Sequence, residues 1–87
     1  MDDRRKKLRF RAWRRGFREI DLILGGFADA KLDRMDDGAL AAFERLLDAP
    51  DQEVFLWITG QAPVPAEHDT ETLEAIRAFR LQLPTKA

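Results

Sequence analysis

Cysteine, serine, tyrosine and asparagine are all missing from this chain of 87 residues, and histidine occurs once. The lack of cysteine excludes disulfides and thiolate chemistry and suits a reducing compartment. With the usual nucleophiles missing and a single imidazole, a tuned acid and base pair is hard to assemble, so no catalytic residue is assigned and the chain is not read as an enzyme. Apolar runs are short, none reaching signal or membrane-spanning length, so no membrane partner is expected. Asp2 and Asp3 at the start, together with the missing serine, argue against a mitochondrial presequence, which leaves a bacterial cytoplasm as the expected location. Apolar-polar alternation is also scarce, and strands are not expected.

What is present is enough for a core. Hydrophobic residues make up 45% of the chain, with six Phe and two Trp, against 36% charged residues. That balance predicts one folded domain over residues 1–87, of modest stability. The formal net charge of -1 conceals two opposed parts: residues 1–18 carry nine Lys or Arg and two Asp, or +7, and the remainder carries six against fourteen, or -8. Such polarity steers the basic segment toward an acidic partner, or holds it against the acidic body of the same chain.

Helical spacing recurs throughout and predicts a small compact antiparallel all-α bundle of four to five helices. The first is expected from about Asp3 to Trp13, with Leu8, Ala12 and Trp13 as its apolar edge. A second starts near Arg15 or Phe17 and runs to about Asp29, with Phe17, Ile20, Ile23, Leu24 and Phe27 forming the clearest amphipathic pattern. Asp36 and Asp37 offer an N-cap to a third, which ends around Asp48 ahead of Pro50. The fourth begins at Pro50 or Asp51 and stops at Gly60; the last is expected from about Ala66 to Leu83, closed by Pro84.

Candidate sites are few. His68 stands among Glu67, Asp69 and Glu71 without a recognisable ligand spacing, so it reads as a solvated helix start and no metal is assigned. Gly25-Gly26 follows no strand and therefore reads as a place of close packing or a loosened helix end, not a phosphate loop. The run Arg4-Arg5-Lys6-Lys7, continued by Arg9 and Arg11 with Phe10 and Trp13 interleaved, can bind phosphate backbones or form a solvated helix face.

Arg14-Arg15-Gly16-Phe17-Arg18-Glu19 is the most informative stretch, because it sets a glycine among charges beside an apolar stripe. If helix runs through it, Arg15, Glu19 and Leu22 share a face at spacings of four and three. An exposed Arg15–Glu19 pair is worth only about 0.3–0.5 kcal/mol, whereas glycine inside a helix costs about 1 kcal/mol relative to alanine. Gly16 is therefore better explained as a turn between helices, as a place where a partner touches backbone, or as both. Asp21 falls near the buried side and needs a donor, Arg18 or an amide.

Arg15-Gly16-Phe17-Arg18-Glu19-Ile20-Asp21, preceded by Trp13-Arg14, resembles the RGxxE signature of the succinate dehydrogenase flavinylation and assembly factors, the SdhE family. Leu46-Leu47-Asp48, Asp51, Phe55 and Trp57 are similar to that family's second block, so the likeness covers most of residues 8–60. It implies a five-helix assembly factor that binds the flavoprotein subunit of succinate dehydrogenase, and of fumarate reductase, and promotes covalent attachment of FAD to a histidine of that partner; the chain itself is expected to be a monomer. By the same likeness Arg15, Gly16 and Glu19 contact the partner, with Arg18 and Leu22 adding to them. The chain itself binds no cofactor; FAD belongs to the partner. The alternative is a nucleic-acid-binding helical domain that uses the basic N-terminal segment.

Overall fold

The computed structural model describes residues 2–83, and these form five α-helices with two single turns of 3-10 helix between them. Helix α1 spans Asp3–Ala12, α2 Arg18–Lys31, α3 Asp37–Leu47, α4 Asp51–Thr59 and α5 Glu71–Gln82. The expected all-α class holds: among the described residues there is no strand.

Local chemistry sets most of the ends. Asp2, Asp36 and Thr70 each accept a hydrogen bond from an amide in the first turn of the helix that follows, at Arg5, Ala39 and Leu73. Gly60 ends α4 in the left-handed region, at φ 77°, the conformation that glycine adopts without a Cβ penalty. Two ends differ from expectation. Helix α2 runs past Asp29 to Lys31 and tightens into a 3-10 turn at Leu32–Arg34, because Leu32 continues the apolar face and is fully buried. The last helix starts at Glu71, not Ala66: Ala66–His68 is a separate 3-10 turn, and Thr70 supplies the cap. Its expected closure at Pro84 lies outside the described residues.

The core gathers Leu8 and Ala12 of α1, Ile20, Leu24 and Phe27 of α2, Leu40 and Phe43 of α3, Val54 of α4, and Leu73 and Ile76 of α5. Phe27 sits at its centre, against Phe43 and Phe79 at centroid distances of 5.8 and 5.9 Å. Helix α1 packs antiparallel to α2. Arg9 lies near Asp29, and one turn on the Trp13 indole rests directly on Gly25. The paired glycines are thus a packing feature inside an unbroken helix, since Gly26 in turn faces the Phe79 ring.

Candidate functional site at the α1–α2 turn

Helix α1 stops at Ala12 because the chain folds into a turn at Trp13, and residues 14–17 link it to α2 outside any helix. Arg15 therefore does not share a helical face with Glu19 and Leu22; α2 begins three residues later. Gly16 is a turn residue, one of the roles its position in the sequence suggested.

The Arg15 side chain turns inward and is only 8% exposed. Its guanidinium donates to the carbonyls of Leu47 and Ala49 and pairs with Asp51 at 2.6 Å, while its Nε is buried without a hydrogen-bond partner. Leu47 is the last residue of α3, whose final carbonyls lack intrahelical donors, and Asp51 is the first of α4. A cation placed there complements the negative end of α3 and the acid that opens α4. Arg15 thus pins the α1–α2 turn onto the α3–α4 corner, and its ion pair is with Asp51, not Glu19. Its main-chain amide donates to the Asp21 carboxylate at 2.7 Å, so of the two donors open to Asp21 the structure uses an amide.

Around this anchored turn the other residues face outward. Gly16, Arg18 and Glu19 are exposed, and Leu22 is 44% exposed one turn into α2. Phe17 packs inward against Phe55, with ring centroids 5.3 Å apart at 80°. Leu22 precedes Gly25 by about one turn on α2, and Gly25 carries the Trp13 indole, itself 37% exposed. Phe10, 59% exposed, carries the Arg14 guanidinium 4.2 Å above its ring and extends the apolar surface along α1. Trp13 was legible as part of the apolar edge of the first helix; Phe10 was not, because it stands in a basic run that reads as a phosphate-binding segment or a solvated helix face.

That basic run is largely engaged within the protein. Arg4 reaches Asp37 and Glu44, Arg9 reaches Asp29, and Arg11 pairs with Asp48 at 2.6 Å. Arg5 donates to the carbonyls of Leu32 and Met35, at 2.9 and 2.6 Å. Of the two uses of charge left open by the sequence, the intramolecular one is realised, and nothing favours nucleic-acid binding.

No group of three or more His, Cys, Asp or Glu suited to a metal occurs among the described residues. His68 stacks on Trp57 at a centroid distance of 5.0 Å, which makes it a packing residue where the sequence suggested a solvated helix start. Open grooves of about 310, 380 and 270 Å³ lie elsewhere, at the α2–α3–α5 end and beside His68, and none includes the turn. The motif is a ridge on the surface, not a chamber.

Fold and ridge together define a small all-α bundle that displays a charged, glycine-notched turn on a rigid base. A family model described as "Flavinator of succinate dehydrogenase" matches residues 6–80, and the chain belongs to that family. It is 41% identical over 70 residues to a protein of Acetobacter pasteurianus named FAD assembly factor SdhE, a match that covers 80% of this chain and 64% of the relative. Over 73 residues it is 38% identical to a mitochondrial succinate dehydrogenase assembly factor 2 of Dictyostelium discoideum, covering 84% and 52%. A third relative, the factor of the same name in Mycosarcoma maydis, is 42% identical over 60 residues, covering 69% and 25%. The chain thus spans between a quarter and about two thirds of the length of these relatives.

Proposed function

We propose that this chain is an assembly factor that docks on the flavoprotein subunit of succinate dehydrogenase while FAD becomes covalently attached to that subunit. Support comes from family membership over residues 6–80 and from the names of the relatives. The observation that carries the site is the ridge itself: Gly16 on the turn and Arg18, Glu19 and Leu22 in the first turns of α2 stand exposed, above the contacts by which Arg15 and Asp21 fasten the turn from beneath. A rigid display of few residues suits docking, because little conformational freedom is lost when a partner binds.

In this reading Glu19, Arg18, Leu22 and the Gly16 backbone touch the partner, and Arg15 acts from below through the turn it anchors. The factor works by orientation: it holds the partner's reacting histidine near the flavin and keeps water from the reacting centre, with no proton chemistry on this chain. It acts as one helical domain and a monomer in the bacterial cytoplasm, carries no flavin of its own, and serves fumarate reductase flavoproteins by the same contact.

The test is affinity capture of purified succinate dehydrogenase flavoprotein, followed by an assay of covalent flavin by its fluorescence in denaturing gels. The wild type is expected to retain the flavoprotein and Glu19→Ala to lose it, with circular dichroism showing an unaltered helical fold. Full covalent attachment supported by Glu19→Ala would overturn the assignment of the ridge.

A further inference from the structure

We propose that Asp51 is a positioning residue for the ridge, and that glycine stands at position 16 because the Asp51 carboxylate, reaching across from α4, fills the space a side chain there would need. The inference rests on the docking role proposed above and assigns a cause to its most unusual residue.

One carboxylate oxygen of Asp51 is 2.6 Å from Arg15 Nη2, and a Cβ built on Gly16 would stand 2.6 Å from the other. Real Cβ atoms do not approach an oxygen so closely, so one of the two must move. The backbone does not call for glycine here. Among the described residues Gly60 alone has a positive φ, so an L-residue can adopt the conformation of residue 16. At such a position an alanine ordinarily stabilises a protein, by restricting the unfolded chain. The obstacle is a side chain from another helix.

Asp51 is not free to swing aside at no cost. It is half of a pair whose other half, Arg15, is also fastened to the Leu47 and Ala49 carbonyls. A methyl group at residue 16 would push the carboxylate off the guanidinium and loosen Arg15. The Arg15 amide is the donor to Asp21 in α2, so the strain passes to the turn that presents Glu19 and Leu22. Glycine and carboxylate thus form one unit, although only the glycine belongs to the exposed ridge.

A double-mutant cycle on the full chain tests this, with Gly16→Ala, Asp51→Ala and the pair. In thermal unfolding, Gly16→Ala is expected to lower the midpoint by roughly 4–8 °C on the wild-type background, and to leave it unchanged or raise it once Asp51 is alanine. In capture of the purified flavoprotein, Gly16→Ala is expected to weaken binding at least about tenfold alone and less than about threefold when added to Asp51→Ala. Equal unfolding shifts on both backgrounds, or none on the wild type, overturn the role of Asp51 whatever the capture result. A coupled unfolding response with capture unaltered in every variant overturns the positioning role together with the docking reading. Loss of capture with Asp51→Ala alone, together with a coupled unfolding response, supports the positioning role.

Discussion

Gly25 has no side chain, and the Trp13 indole lies where one would be. Any Cβ there would meet three ring atoms, so Gly25→Ala must lift α1 from α2 or push the indole into solvent. Overpacking of this kind costs about 1–3 kcal/mol, and a fall of that size in urea-unfolding stability is expected. Arg15 works in the opposite direction, by filling. Removing one member of a fully buried ion pair costs about 3–5 kcal/mol; because Asp51 is 26% exposed, Arg15→Ala is expected to cost about 2–3 kcal/mol in the same assay. Neither role could be read in one dimension. Trp13 and Gly25, or Arg15 and Asp51, are twelve or more residues apart, and only the crossing of helices brings them together. The sequence did expose Asp21 as a buried-side acid in need of a donor, because that requirement follows from its position on a single helix.

Helix ends were legible where one residue decides them. Asp36 as a cap, Gly60 as a left-handed stop and the start of α4 after Pro50 all follow from local chemistry. Where tertiary packing decides, the reading fell short. Leu32 carried α2 beyond its expected limit; the start of α5 at Glu71, by contrast, is set locally, by the Leu73 amide donating to the Thr70 hydroxyl. The first helix gives a test at acid pH. The Arg5 backbone amide holds the Asp2 carboxyl below its ordinary 3.8, against the opposing effect of burial, and the Arg5 guanidinium adds to the lowering. A carboxyl lowered in the folded state adds stability that is present above the unfolded value and vanishes as pH falls through the folded one. Amide exchange in the first turn of α1 is therefore expected to quicken below about pH 4 in the wild type, and in Asp2→Ala to be fast already at pH 6, with that acid response lost.

Across the molecule one device recurs. Arg5 donates to carbonyls at the end of α2 and its 3-10 extension, Arg15 to those at the end of α3, and Arg77 to the Trp57 carbonyl in the last turns of α4. Each arginine comes from a different part of the chain and brings a charged donor to the carboxyl end of a helix or turn, where the carbonyls of Leu32 and Trp57 also accept a main-chain amide. These clamps matter more than the surface ion pairs, which are screened by water. Arg77→Ala is expected to cost about 1–2 kcal/mol, whereas Arg4→Ala, whose contacts are with the exposed Asp37 and Glu44, is expected to cost under about 0.5 kcal/mol, both by chemical unfolding. The all-α class and the family were legible because periodicity and motif are properties of order along the chain. The use of arginines as cross-braces was not, because a basic run looks the same whether its charges face outward or inward. One further property follows from where the two tryptophans sit. Trp57 is sealed against His68, while Trp13 lies half open on Gly25, about one helical turn from Leu22. The protein thus carries its own optical reporter: with Trp57→Phe, emission comes from the indole next to the ridge alone, and a visitor settling there shifts its colour without any added dye.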